Sequence, residues 1–493
     1  GTVASIAKPV CALVICAALL TACSVAPELD NTPLALPDSF NQPSTPQSSS
    51  QDQAVWWQDF QQPALDQAIQ TALSDNNNLH SIAARLKAAQ ATARNTNAQR
   101  WPNILLGLSN NQRFGDGNNG NASSSNSVEF SSNYGVDLWG AARSAYQSSL
   151  YSAEAAKQEL KAAQIALAGN VASLWFQVNT SEQLLNLIQE ERKTYNAVLA
   201  LLEQRFRNGQ ASASDILRQR QLVASTGALE ASTRADLGSQ QHALEELLGI
   251  AAGQAPASLT TLTHSQSKST SAITPPLPQT GIPAEVIANR PDVLQQWHEV
   301  KAANEDIAIA IADRYPQLGL NLSYTSTGGS ALFDDWLGSL LSSLTAPLFD
   351  AGTRSAELDR RRAVLEETLA SYKATALSAF REVQDALLQL EQQKIQVENL
   401  EHQLQLSQAV AERQLRQLRG GSADFLALLD AQISTSSLKR DLLSAQQKQR
   451  DFYITLRQSL AGADANLLSA DTQKDSQQTQ ISSSSTTNTK DSL

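Results

Sequence analysis

Three cysteines occur in the 493 residues, and none lies beyond Cys23; the other two are Cys11 and Cys16. That excludes a disulfide framework or a cysteine metal site in the body of the protein. The five histidines, His80, His242, His264, His298 and His402, are scattered without ligand spacing, so no metal or other cofactor is expected. Methionine is absent, aromatics are 5% and charged residues 17%. The formal net charge is −11, the wrong sign for a nucleic-acid partner. There is no Gly-rich phosphate loop, no nucleophile elbow and no pair of metal ligands, so no enzyme is expected. Proline is missing from 103 to 208 and again from 350 to the C-terminus. The apolar run from Val10 to Leu20 is shorter than the about 20 residues a transmembrane helix needs.

What is there begins with that run. Lys8 precedes it and small residues follow, the order of a signal peptide, here 1–22. Leu20-Thr21-Ala22-Cys23 resembles a bacterial lipobox, which implies cleavage before Cys23 and a covalent lipid on it. Acyl chains contribute about 0.8 kcal/mol per buried CH₂, so several hold firmly. Ser24 follows instead of aspartate, which implies an outer-membrane address. An ordinary secreted protein cleaved nearby is the competing reading.

Residues 23–55 are Pro-, Ser- and Gln-rich and predict an extended, coreless lead-in. Residues 251–282 read as a linker and 462–493 as a disordered tail. The bodies between them, 56–250 and 283–461, repeat one another. QRWPNILLGLS (99–109) matches DRYPQLGLNLS (313–323), VDLWGAARSA (136–145) matches PLFDAGTRSA (347–356), and RFRNGQAS (205–212) matches QLRGGSAD (417–424). Three matches in order at one spacing mark a tandem duplication.

Each repeat carries a heptad seam. The first runs Leu160, Leu167, Val171, Leu174, Val178, Leu185, Ile188, Tyr195, Leu199, Leu202, Phe206. The second runs Phe380, Val383, Leu387, Leu390, Val397, Leu404, Ala411, Leu415, Leu418. Such a period predicts long, supercoiled helices over about 141–207 and 353–419, each roughly 100 Å long at ~1.5 Å per residue. Gly209 and Gly421 sit where each must turn. Period-two alternation over 128–138 and 317–325 predicts strands, with partners at roughly 103–114 and 336–348, making two hairpins at about 103–138 and 317–348. The tips are expected at 115–127 and 326–334. Trp101, Trp139, Tyr315 and Trp336 fall near strand ends, as a membrane girdle would, though packing is the alternative for each. Four strands cannot close a barrel, and an open edge in lipid is prohibitive. Three chains would supply about 12 strands. The expected fold is therefore a mixed α and β membrane protein: a trimeric 12-stranded transmembrane β-barrel, four strands per chain, continued by a long periplasmic α-helical barrel.

WWQDFQQPALDQAIQTALSDNNNLHSIAARL (56–86), IPAEVIANRPDVLQQWHEVKAANEDIAIAIADRYPQLGLNLSY (282–324) with Arg290-Pro291-Asp292, and LLDAQ (428–432) resemble the outer-membrane factors of the TolC-like family, in its lipoprotein (NodT-type) efflux branch. The resemblance implies a homotrimeric, passive exit duct that works with a periplasmic adaptor protein and an inner-membrane pump, held in outer-membrane lipid. It implies lumen-facing aspartates after the second tip glycine; Asp430 matches one such position, Ala427 occupies another, and Asp424 stands one turn earlier. Acidic rings set cation preference in a pore. The alternatives are a helix N-cap for Asp424 and a solvated outer face for Asp430. Arg205, Arg207, Arg416 and Arg419 could latch to Asp215, Asp424 or Asp430, although Ser212 and Asp215 also suit a helix start. Leu418 and Ala423 stand where some members carry a Tyr and an Arg tie. Asn208-Gly209 and Gly420-Gly421 are the expected adaptor-docking tips. Two other functions stay open at this point: an exit duct for protein secretion, and a coiled-coil lipoprotein that forms no channel.

Overall fold

The computed structural model describes residues 56–113, 123–254, 283–328, 335–420 and 425–460, with Pro27, Leu29, Pro37, Phe40 and Pro275. Cys23, Gly421, Asp424, the signal peptide 1–22 and the tail 462–493 lie outside the described residues, as does most of the linker 251–282. A 3-10 turn, Trp56–Phe60, precedes α1 (Pro63–Asp75) and α2 (Asn77–Ala98). Strands β1 (Leu105–Arg113) and β2 (Ser123–Val136) lead to α3 (Ala141–Arg207) and α4 (Ala213–Leu247). The order then recurs: α5 (Pro283–Ala288), α6 (Pro291–Ala312), β3 (Gln317–Gly328), β4 (Trp336–Thr345), α7 (Thr353–Arg419) and α8 (Phe425–Leu460).

Compactness divides the chain differently from the repeat. One unit holds 83–159 and 292–375 with the N-terminal 1–34; the other holds 35–82, 160–291 and 376–493. Each unit takes residues from both repeats, because α3 and α7 continue across the division.

In the first unit the strands form one antiparallel sheet in the order β1-β2-β3-β4. The register puts Leu106, Phe130, Tyr324 and Gly338 in one row, and Leu108, Val128, Ser326 and Trp336 in the next. The face that carries these rows is apolar: Ile104, Leu318, Leu320, Leu322, Leu340 and Leu344 share it. The opposite face is mostly polar, although Leu105, Leu337 and Leu341 lie on it, and its polar side chains bond across strands: Ser109 to Ser127 at 2.6 Å, Asn321 to Asn133 at 2.7 Å, Ser323 to Ser339 at 2.7 Å. Two strands are longer at the tips than alternation suggested. β2 begins at Ser123 and β3 runs to Gly328, so 123–127 and 326–328, expected in the tips, are paired strand. Serine and asparagine mimic a loop in composition, yet here the backbone ladder and cross-strand bonds hold them extended. At the other end β1 starts at Leu105 and β4 stops at Thr345, short of the expected 103 and 348.

An aspartate closes each sheet-to-helix turn. Asp137 accepts the backbone N–H of Arg143 at 2.9 Å. Asp350 accepts those of Gly352 at 3.0 Å and Arg354 at 3.2 Å, which hold its carboxyl below the usual range. Beneath the sheet, Asp306 of α6 accepts from Ser148 of α3 at 2.9 Å and pairs with Arg361 of α7 at 2.6 Å. Trp139 stacks on Tyr315 with centroids 4.7 Å apart and donates to the Pro316 carbonyl at 2.8 Å.

The second unit holds the main core, where Trp56, Trp57, Phe60, Leu65, Ile69, Val171, Trp175, Val178, Val383, Tyr453 and Leu456 are buried. Phe40 joins it, stacked on Phe380 at 5.6 Å, so the expected coreless lead-in has at least one side chain in the core. Arg290 donates to the Ser459 carbonyl at 3.2 Å and pairs with Glu382 at 2.9 Å, which fastens the start of α6 to α7 and α8. Polar bonds then order the long helices. α3 meets α4 through Ser181 and Gln240 at 2.7 Å, and α8 through Thr180 and Gln447 at 2.8 Å and Tyr195 and Ser436 at 2.6 Å. α8 meets α7 through Gln393 and the Ala445 carbonyl at 3.0 Å. The sequence of neighbours is α4, α3, α8, α7.

Candidate functional site

The tips of the long helices lie in the second unit. At the first, Gly209 adopts φ +74°, and Gln210 N–H donates to the Arg205 carbonyl at 2.8 Å while Gly209 N–H donates to that of Phe206 at 2.9 Å. This is the paired C-terminal bonding that a left-handed glycine permits, and it ends α3 sharply. Ser212 and Asp215 then form a reciprocal cap on α4: Asp215 N–H to Ser212 Oγ at 3.2 Å, and Ser212 N–H to Asp215 Oδ2 at 3.0 Å. Asp215 is thus a helix-start residue within the chain, not a latch. At the second tip, Gly420 N–H donates to the Arg416 carbonyl at 3.0 Å.

The structure gives the tip arginines other partners than the expected aspartates. Arg205 donates from Nη1 to the Leu418 carbonyl at 2.5 Å, so it satisfies an open carbonyl at the end of α7. Arg416 pairs with Glu412 on its own helix at 3.7 Å, in water. Arg207 and Arg419 are exposed and make no ion pair among the described residues. Among the described residues no tip arginine pairs with Asp215 or Asp430: Asp215 caps α4, Arg205 caps the end of α7, and Arg416 pairs along its own helix. An apolar cluster joins the two tips instead: Val198 and Leu202 of α3, Leu418 of α7, and Phe425, Leu428 and Leu429 of α8. Sequence inspection missed the Arg205 tie, since no pattern marks a side chain that caps a helix 213 residues away.

Asp430 lies on the exposed face of α8 with Leu426 and Ile433 beside it, one turn before and one after. It has no ion-pair partner among the described residues. A few turns further from the tips, Arg440 of α8 pairs with the buried Glu191 of α3 at 2.8 Å. Burial also raises the Tyr195 hydroxyl pKa above its ordinary value, opposed by the bond to Ser436.

Two helix faces complete the candidate surface. On α7, Leu377, Leu388, Ile395, Leu406 and Val410 are exposed. At ~100° per residue they fall within about 60° of arc, a stripe roughly 50 Å long. On α4, Ala224, Ala228, Ala231 and Ala235 are exposed at steps of four and three, and Gly238 continues the line with open space above it. No His, Cys, Asp and Glu group able to hold a metal occurs among the described residues. None of the described helices is long and apolar enough to cross a membrane, which says nothing of the sheet.

Comparison with known proteins places this architecture. The family model described as "Outer membrane efflux protein" matches residues 68–250 and 282–462. The chain is 28% identical over 455 residues to the pyoverdine export outer membrane protein OpmQ of Pseudomonas putida, covering 90% of this chain and 95% of that protein. It is 26% identical over 460 residues to the cation efflux system protein CusC of Escherichia coli, covering 91% and 97%. The solved structure of the outer-membrane channel OprN superposes with a TM-score of 0.80 at 25% identity, covering 89% of this chain and 99% of that one. The two matched segments coincide with the two repeats, and the chain belongs to the outer membrane efflux protein family.

Proposed function

We propose that three copies of the chain close one 12-stranded β-barrel in the outer membrane and continue as a helical tube into the periplasm. There they form the exit duct of a tripartite efflux pump for small molecules. The observation that carries this is the sheet. It has one apolar face and one mostly polar face, and the outer edges of β1 and β4 have no pairing partner among the described residues. An open edge is untenable in lipid, while pairing β4 with β1 of the next copy removes every edge. Tyr315 and Tyr324 are nine residues apart. That is about 30 Å along a strand, or about 23 Å of depth at a ~40° tilt, close to the apolar band of such barrels. Tyr324 and Trp336 stack at 4.8 Å at one border, and Trp139 and Tyr315 at the other.

The helices supply the matching argument. The bulky stripe of α7 suits the small-residue line of α4 in a neighbouring copy, knobs into holes. A lipid on Cys23 fastens the assembly, and the tips at Asn208-Gly209 and Gly420-Gly421 dock an adaptor that links to an inner-membrane pump. Three Asp430 carboxylates, with Asp424, would line the narrowing at the tips and favour cations. OpmQ is named for pyoverdine export and CusC for cation efflux. A small, charged or polar cargo suits the same path here.

The test is ion conductance of the purified trimer in a planar bilayer, wild type beside Asp430→Ala. Small cation-selective steps in the wild type, with larger or less selective steps in the variant, are the expected result. Steps unchanged by the substitution would keep the duct and discard Asp430 as the gate. No conductance from either trimer would discard the duct.

A further inference from the structure

The duplication extends to the pairing of the strands. In the first hairpin Leu106 pairs with Phe130 and Leu108 with Val128. In the second, Leu320 pairs with Ser342 and Leu322 with Leu340. Leu106 and Leu320 are 214 positions apart, Phe130 and Ser342 are 212 apart, and the other two pairs keep the same offsets. α3 and α7, which begin at Ala141 and Thr353, also keep the offset of 212. The hairpins are therefore equivalent rung for rung. The seam between them, β2 with β3, then has one equivalent, β4 with β1. Those are the outer strands in the order β1-β2-β3-β4, three strand spacings or about 14 Å apart, so the equivalent seam joins two copies.

The offsets carry the register across that seam. Within the chain Ser132 pairs with Leu322, Tyr134 with Leu320 and Val136 with Leu318. Moving the first of each pair forward by 212 and the second back by 214 gives the rungs between copies. We infer that β4 of one copy meets β1 of the next with Leu344 opposite Leu108, Ala346 opposite Leu106 and Leu348 opposite Ile104. This rests on the trimeric barrel proposed above and fixes the register of its three seams. Leu344, Leu108, Leu106 and Ile104 all belong to the apolar face, so the register keeps both faces of the sheet continuous; a slip of one residue would mix them. The exposed ends of the edge strands fit it too. Leu348 is 97% and Ile104 78% exposed, and they lie just outside β4 and β1, which end at Thr345 and begin at Leu105. Their equivalents Val136 and Leu318 are half-buried. The last rung thus extends both strands into the stretches that alternation predicted. On the polar face the same register sets Ser343 opposite Ser109, the equivalent of Ser131 opposite Ser323.

The experiment uses the full-length chain in isolated outer membranes, oxidised and run on heated, non-reducing gels. The body has no cysteines, so pairs can be added singly, and the parent chain gives the background. Leu344→Cys with Leu108→Cys, and separately Ser343→Cys with Ser109→Cys, test two successive rungs, one of each hydrogen-bonding type. The serine pair is a small change that protects the test against a failure of the leucine pair to assemble. Leu344→Cys with Leu106→Cys or with Asn110→Cys tests a slip of two residues, which moves a Cα by about 7 Å and out of reach of a disulfide. A covalent trimer from either matched pair, at least about ten-fold above both slipped pairs, is the expected result. A slipped pair that joins better overturns the register and leaves the barrel. A heat-modifiable trimer in which no pair joins overturns the β4-to-β1 seam. Absence of any trimer from the parent chain overturns the proposed trimer, and the register with it.

Discussion

α3 and α7 are both 67 residues long and hold equivalent places in the two repeats, yet they are buried in opposite ways. Counted from the helix starts, Phe176 of α3 corresponds to Leu388 of α7, and Val198 to Val410. Phe176 and Val198 are 3% and 4% exposed; Leu388 and Val410 are 54% and 52% exposed. The side chains are apolar in both repeats, so the difference is not in pattern. α3 has α4 on one side and α8 on the other, whereas beside Leu388 and Val410 α7 is tied to α8 through Gln393 and Ser407. A duplicated unit thus gives one helix with both flanks covered and one with a free flank. The free flank is the face that the proposed trimer would cover.

The comparison breaks most visibly at its buried member. Phe176→Ala should destabilise the chain by about 3–5 kcal/mol, while the equivalent Leu388→Ala should cost the isolated subunit less than about 1 kcal/mol. Denaturant midpoints of detergent-solubilised monomer measure both; similar losses would mean that the free flank is covered within the chain.

The exposed member has its effect on assembly. Leu388→Glu with Leu406→Glu places two charges on the α7 stripe, and the heat-modifiable trimer that the proposed assembly should give on unheated gels is expected to be lost while the subunit keeps its protease-resistant core. A trimer that survives both charges would move the subunit contact to another face.

A smaller contrast lies in the ion pairs of the two long helices. Arg440 neutralises the buried Glu191 of α3, and Arg440→Ala should cost about 2 kcal/mol, since it strands a buried carboxylate. Arg416 and Glu412 of α7 are both in water, and Arg416→Ala should change subunit stability by less than about 0.5 kcal/mol. Thermal midpoints of the two variants, compared at one salt concentration, check the ranking.

The parts legible from sequence are those governed by short-range period. Heptad seams and proline-free stretches expose α3 and α7, and alternation exposes the middle of β2 and β3. β4 carries Trp336, Leu337, Leu340, Leu341 and Leu344, leucine on both faces, so only its pairing with β3 defines its orientation. Ser123 to Ser127 read as a loop until the ladder with β1 forms. At the tips the turn at Gly209 was legible, because only glycine takes φ +74° at little cost. The partner of Arg205 was not, because a carbonyl has no signature of its own. The bond from Asn304 to the Pro27 carbonyl was likewise invisible, since Asn304 is one polar residue in an otherwise helical stretch.

The sequence by itself determined the duplication, the two long helices, the membrane-directed alternation and the likeness to a family of ducts. Each follows from residue order and period over tens of residues. Only the tertiary structure decided which of two equivalent helices is enclosed, which arginine caps which helix end, and which asparagine holds the N-terminal segment. Those depend on contacts between residues more than 200 positions apart, as Arg205 and Leu418 or Asn304 and Pro27 are, and no local pattern encodes them.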